Sequence, residues 1–234
     1  HIVDILLYFI LHFSETTCYF YRIAMEGLLK AIEDANDATA AGLILSLRGN
    51  REVTDTALIL AAQKGYTKCL QILILGGAYL EAKNNDGYTA LMVAAESGQS
   101  DCLKALLEAR ANVHAHDDRS NSLHLAAEQG HADCVRLLLN ANAFVDATTS
   151  GNSTAIISAA GAGHAECVQV LLDAKANLRV SETWGGNTAL TWAAHNGQLS
   201  CLQVLIDAKA DIEYTADMGI SALNYASSNG RLEC

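Results

Sequence analysis

The stretch TALMVAAESGQSDCLKALLEARANV, residues 89–113, sets the pattern for most of this 234-residue chain. Its apolar residues lie three and four positions apart in the first half, and one, four and five apart in the second, which are helical spacings. Gly98 stands between the halves, and glycine accepts the left-handed conformation that ends many helices. The stretch therefore predicts two helices joined by a tight turn, followed by a polar segment of about ten residues.

The same pattern recurs to the last residue. One apolar position repeats at intervals of 32 to 34 residues: Leu58, Leu91, Leu123, Ile156, Leu190 and Leu223. An alanine pair and a glycine keep the same register, and four residues after each glycine comes a cysteine, at Cys69, Cys102, Cys134, Cys167, Cys201 and Cys234. A period of this length is typical of repeat proteins, whose units stack on their neighbours without a central core.

The copy NSLHLAAEQGHADCVRLLLNANAFVDA, residues 121–147, resembles the ankyrin repeat, whose usual wording is T-P-L-H-x-A-A-x-x-G-H. The resemblance covers about 180 of the 234 residues. It implies an all-α fold, an ankyrin-repeat solenoid of stacked helix-turn-helix units with projecting hairpin loops. Every copy lacks the proline of the usual wording and has alanine or serine there. Since proline pre-sets the start of a helix, we expect a small loss of rigidity and the same topology.

The repeat pattern predicts the organisation of the chain. An N-terminal capping repeat is expected at 25–50, full repeats at 51–83, 84–115, 116–148, 149–182 and 183–215, and a partial repeat at 216–234. Residues 1–24 differ in kind, and we interpret them as a non-domain leader or upstream translation, with Met25 as the native start. A fragment of a longer protein and a weak membrane anchor remain alternatives, although the apolar run at 5–11 is shorter than the roughly 20 residues that span a bilayer.

Charge and cysteine content restrict the function. The net charge of −11, without a basic cluster, argues against nucleic-acid binding, and it suits basic partners or serves solubility. The repeated cysteines fall on stacked helices about 8–10 Å apart, farther than the roughly 7 Å between Cα atoms that a disulfide spans. They are therefore predicted to be buried thiols of a reducing, cytoplasmic compartment.

Histidines and cysteines raise the question of chemistry. His114 and His116, with Asp117 or Asp118, could hold a metal, but exposed hairpin residues are the favoured interpretation. For His131 and His164, the resemblance implies hydrogen bonds that tie neighbouring repeats together. Both members of each G-H-x-x-C group repeat for structural reasons, whereas a nucleophile would be singular and exposed. We therefore predict no catalytic residue, cofactor or metal, and no small-molecule substrate.

Backbone strain is expected after the second helix of each repeat. The family usually places glycine there in the left-handed conformation, as at Gly77, but Arg110, Asn142, Lys175 and Lys209 stand in its place. Asparagine tolerates this conformation, whereas lysine pays a cost that its charge at the helix end offsets in part.

The resemblance implies that a protein partner meets the hairpin tips and the first helices, on the concave face. The corresponding residues are Asp86, Tyr88, Glu96, Asp117, Asp118, Ser120, Glu128, Trp184, Asn187, His195 and Asn196. Tyr88 and Trp184 are of the types that dominate interface energies, and the acids would steer a basic or amphipathic segment. For Trp192 and Tyr225, packing in the core is favoured over contact with a ligand, since they share a slot with aliphatic residues.

Two alternatives remain open at this point. Trp184 could fold back over its own hairpin, with the acids serving solubility. The repeats could also be the targeting or regulatory arm of a larger enzyme or channel, since a fold does not by itself specify a function.

Overall fold

A computed structural model describes Leu29, Lys30, Asp34 and residues 51–117 and 120–234. Apart from three residues, the predicted leader (1–24) and capping repeat (25–50) lie outside this part of the chain. The described residues form eleven α-helices: α1 (Arg51–Lys64), α2 (Thr67–Leu75), α3 (Ala90–Glu96), α4 (Ser100–Glu108), α5 (Ser122–Glu128), α6 (Ala132–Asn140), α7 (Ala155–Ala162), α8 (Ala165–Asp173), α9 (Ala189–Asn196), α10 (Leu199–Asp207) and α11 (Ala222–Ser228). The predicted all-α repeat fold is confirmed.

The chain divides into two compact units. The first holds the residues up to Ala94 together with Asp101–Asn112, and the second holds Ala95–Ser100 together with Val113–Cys234. None of the described helices is long and apolar enough to cross a membrane.

In the first unit, α1 packs against α2. Leu58, Ala61 and Ala62 of α1 are buried, as is Leu70 of α2. The Cys69 thiol lies 3.3 Å from the main-chain oxygen of Leu29 and donates to it. Both helices thus bury the face that the repeat pattern predicts.

In the second unit, the first helices α5, α7, α9 and α11 pack side by side, and the second helices α6, α8 and α10 form a neighbouring row. The alanine pairs at 126–127, 159–160 and 193–194 are buried in the row of first helices. Alanine keeps these helices close because it has no side chain beyond Cβ, and close packing maximises dispersion contacts.

Four turn glycines of the second unit are each covered by a side chain of the next repeat. Gly98 has φ +68°, and a Cβ atom there would lie 2.5 Å from the imidazole of His131. The His131 Nε2 atom is 3.1 Å from the main-chain oxygen of Glu96, which confirms the predicted tie for this histidine. The His164 ring covers Gly130 in the same way, and the side chains of Gln198 and Arg231 cover the next two turn glycines.

Polar side chains hold the hairpins that precede the first helices. A single antiparallel bridge closes each of four hairpins, at Lys83–Thr89, His116–Asn121, Thr148–Thr154 and Thr215–Ser221. Burial lowers the pKa of His124, so its ring is neutral near pH 7. Its Nε2–H then donates to the main-chain oxygen of Ser153 at 2.9 Å, which fixes one hairpin to α5.

The first five repeated cysteines and the strained positions follow the prediction, whereas the prediction that Cys234 is buried is wrong, because Cys234 lies outside the described helices and is exposed. The cysteines on the second helices are buried, and burial raises the pKa of the Cys134, Cys167 and Cys201 thiols to about 11. None of the cysteines in the described residues forms a disulfide. Positive φ angles occur at Arg110, Asn142, Lys175 and Lys209.

Candidate functional site

The predicted surface residues of the first unit lie in one hairpin. The Asn84 Oδ1 atom accepts hydrogen bonds from the backbone N–H groups of Asp86 at 3.0 Å and Tyr88 at 2.9 Å. Asp86 is exposed and Tyr88 is half-buried. Asn84 therefore fixes the backbone that carries both residues.

Among the predicted hairpin residues of the second unit, Ser120 and Asn187 are buried. Ser120 is 9 % exposed, and Asp117 Oδ1 accepts from its backbone N–H at 2.7 Å. Asn187 is 8 % exposed, and its Oδ1 accepts from the Thr191 hydroxyl at 3.1 Å. The expectation that these two side chains are exposed is wrong, because they bond within their own repeats. Asp117 is half-buried, and Asp118 lies outside the described residues.

The predicted first-helix residues of the second unit differ in how much they are held. Glu128 is exposed, whereas Glu96, His195 and Asn196 are half-buried. The Asn196 amide donates to the main-chain oxygen of Gly161 at 2.8 Å, so it supports the contact between α9 and α7. Glu128 is thus the most exposed of these four residues.

Trp184 stands at the tip of a well-held hairpin. Its side chain is 80 % exposed, which contradicts the alternative that it folds back over its own hairpin. The Glu182 backbone N–H donates across its own hairpin to Asn187 O at 2.9 Å, and the Thr183 backbone N–H donates to Gly151 O of the preceding hairpin at 2.9 Å. The next hairpin contributes Asp217 N–H to Gly185 O at 3.0 Å. The exposed indole therefore projects from a fixed backbone.

A row of three rings runs beside this hairpin. The Trp192 and His195 ring centroids are 5.5 Å apart, those of His195 and Tyr225 are 5.0 Å apart, and both pairs meet edge to face. Trp192 and Tyr225 are half-buried, so the assignment of both to the core is wrong. The Trp192 Nε1–H donates to Glu182 Oε2 at 2.7 Å. The residue type at position 192 could have indicated this exposure. An indole N–H needs a hydrogen-bond acceptor, whereas the aliphatic residues at the same position of other repeats do not.

The H-x-H pair lines a cavity between two hairpins of the second unit. The cavity has a volume of about 570 Å³, and its wall includes His114, His116 and Phe144. The His114 ring stacks on Phe144 with centroids 4.2 Å apart. The His116 Nδ1 atom lies 3.2 Å from the main-chain oxygen of Asp117. Within the described residues, no group of three or more His, Cys, Asp or Glu side chains could hold a metal ion.

Stacked pairs of helices that share one repeated core and differ in their exposed residues define a helical repeat protein. The chain belongs to the ankyrin repeat family, because the family model for ankyrin repeats in three copies matches residues 28–117, 109–182 and 176–234. Ankyrin repeats generally mediate protein–protein interactions and are typically non-catalytic. No curated protein in the comparison matches the sequence.

Proposed function

We propose that this protein is a non-catalytic interaction scaffold, and that its second unit binds a basic or amphipathic segment of a partner protein. The observation that carries the proposal is Trp184, whose indole is 80 % exposed on a hairpin held by backbone hydrogen bonds. When a partner covers a large exposed aromatic side chain, burial of its apolar surface favours binding. A fixed backbone also lowers the entropy lost on binding. Tryptophan is also among the commonest energetic anchors of interfaces.

Charge supports a basic partner. By sequence, the second unit contains fourteen acidic and six basic residues, a net charge of −8. Glu128 is exposed on α5, where its carboxylate attracts a cationic segment during approach. We place the proposed surface at Trp184, Glu128 and His195, and leave out the buried Ser120 and Asn187.

Truncation of Trp184 tests the anchor. A partner recovered by pull-down is first purified, and its affinity for Trp184→Ala and for the parent protein is measured by calorimetry. Loss of a hot-spot residue costs about 2 kcal/mol or more, which corresponds to roughly thirtyfold in Kd. Phe144→Ala is the matched control, since it removes another exposed ring of the same unit. Equal affinities for Trp184→Ala and the parent would remove Trp184 from the interface.

Charge reversal tests the steering. Glu128→Lys is expected to slow association, and the difference from the parent should shrink as salt screens the charge. Asp207→Lys makes the same change at an exposed position on α10 and should have the smaller effect. If both variants associate at the parent rate at low salt, the partner does not approach this surface by charge.

A further inference from the structure

Trp192 is half-buried, and neighbouring groups contact it on three sides. Its indole N–H donates to Glu182, its ring meets the His195 ring edge to face, and its Cβ atom lies over Gly161. A Cβ atom at Gly161 would stand 3.7 Å from the Trp192 Cβ atom, which is ordinary van der Waals distance, so the tryptophan lies close to α7. Because its rotamer is already fixed, the ring loses little entropy when a partner group stacks on it.

The carboxylate beside this ring has unused bonding capacity. Glu182 Oε2 accepts from the indole at 2.7 Å, while Oε1 has no hydrogen-bond partner among the described residues. A carboxylate has about four lone-pair sites for hydrogen bonds. The hydrogen bonds that it accepts from a charged donor are stronger than those from a neutral donor. The ring face and the second oxygen therefore present an aromatic surface and a negative charge side by side.

This combination favours one chemical group. The face of tryptophan attracts cations more strongly than that of any other side chain. A guanidinium is planar, stacks on aromatic rings and still has N–H groups at its edge to donate to a carboxylate, whereas an ammonium is compact and strongly hydrated. The acidic excess of the second unit points to the same charge.

We propose that Trp192 and Glu182 bind the guanidinium of an arginine in the partner segment. The guanidinium stacks on the accessible part of the indole and donates to Glu182 Oε1, while Oε2 keeps its bond to the indole N–H. This inference rests on the proposed function and adds the residue type that the partner must present.

The test uses blocked amino acids as probes. Nα-acetyl-arginine methylamide is titrated into Trp184→Phe protein, which leaves Trp192 as the one indole N–H in a ¹H–¹⁵N spectrum. We expect a saturable shift of this resonance with a Kd on the order of millimolar, typical of a single small group. The lysine derivative should bind more weakly, and the neutral citrulline derivative, which has nearly the same shape, should give no saturable shift.

Glu182→Gln separates recognition from structure. Glutamine can still accept the indole N–H, so the fold and the Trp192 resonance should persist while the arginine probe binds at least tenfold more weakly. Glu213→Gln, which removes an exposed acid elsewhere in the unit, should bind within twofold of the parent. Equal responses to arginine and citrulline, or an unchanged affinity in Glu182→Gln, would overturn the inference.

The two proposals fail in different ways. If Trp184→Ala weakens the partner but the arginine probe gives no saturable shift, the inference fails and the proposed function stands. If the partner binds Trp184→Ala and Trp192→Phe as it binds the parent, the surface of the second unit is not the partner site and the proposed function fails. Far-UV circular dichroism of each variant confirms that the helices are intact.

Discussion

Helices α7 and α9 are neighbours built on one template, but they present different surfaces. Both bury an apolar residue and an alanine pair, at Ile156 with 159–160 in α7 and at Leu190 with 193–194 in α9. On their accessible sides α7 has Ser158 and Gly161, whereas α9 has Trp192 and His195 in the corresponding positions. The buried side therefore specifies the stack and leaves the other side open to change, which is where a partner can be recognised.

The buried side of α7 should respond most strongly to mutation. Ile156→Ala removes a fully buried side chain, and such changes cost about 2–5 kcal/mol of unfolding free energy. Ser158→Ala, on the same helix but half-buried, should stay within about 0.5 kcal/mol of the parent. Urea denaturation followed by circular dichroism measures both. Similar losses for the two variants would show that the helix has no distinct buried side.

The cysteines on the second helices should be unreactive. With a pKa of about 11, the Cys134, Cys167 and Cys201 thiols ionise on the order of a hundredfold less at neutral pH than an unperturbed thiol. Cys234 is exposed and should react with iodoacetamide at pH 8 before these three buried cysteines do, as located by peptide mass spectrometry. Because these raised pKa values belong to the folded state, their stabilising contribution is complete below about pH 8.5 and is lost as the pH rises towards 11. Rapid labelling of Cys167 in folded protein would contradict its burial.

Replacement of two glycines by alanine, one in α7 and one in the turn after it, should change the stability of the protein in opposite directions. Gly163 has φ +90°, so Gly163→Ala forces a left-handed alanine at a cost of about 1–2 kcal/mol and pushes the Gln198 side chain aside. Gly161 is helical, and an added Cβ would make ordinary contact with Trp192 at 3.7 Å. Gly161→Ala should therefore stabilise by about 0.5–1 kcal/mol. Thermal unfolding of both variants measures whether each change raises or lowers stability. If both changes have the same sign, the backbone angle does not determine the effect of alanine.

The smallest change in stability is expected at Lys175, a position where the family usually has glycine. Lys175 has φ +67° and is exposed, so Lys175→Gly relieves backbone strain and should stabilise by about 0.5–1 kcal/mol. Asn142→Gly at φ +65° is the matched control and should gain less, because asparagine tolerates this conformation. A lower denaturation midpoint for Lys175→Gly would show that the lysine charge at the helix end outweighs the strain.

The fold could be predicted because its determinants repeat. The alanine pair, the turn glycine and the cysteine each occupy a buried or left-handed position in five copies, so these five copies specify the same helical pair. Even Lys175 could be assigned its unusual backbone angle, because the family places glycine in that slot. Repetition gives each of these inferences several independent supports.

The accessible surface was less predictable because exposure depends on local bonding. Ser120 and Asn187 occupy hairpin slots like those of exposed residues, but each bonds within its own repeat and is buried. Trp192 occupies the slot of the aliphatic Leu125, yet its indole reaches Glu182 and stays half-exposed. The hydrogen bond that a polar side chain forms depends on interatomic distances, and the spacing of the repeats in the sequence does not specify these distances.

The side chains that cover four turn glycines of the second unit, at positions 98, 130, 163 and 197, have a consequence for how the number of repeats can change. A histidine, a glutamine and an arginine all occupy this place, and the surface beneath is the same hydrogen-bearing Cα of glycine. Removal of residues 131–163 would join Gly130 directly to His164, and the same kind of side chain would again follow a glycine. Loss or duplication of a whole repeat therefore restores the same contact between a turn glycine and the next repeat. The number of repeats can vary by recombination without a new interface having to evolve.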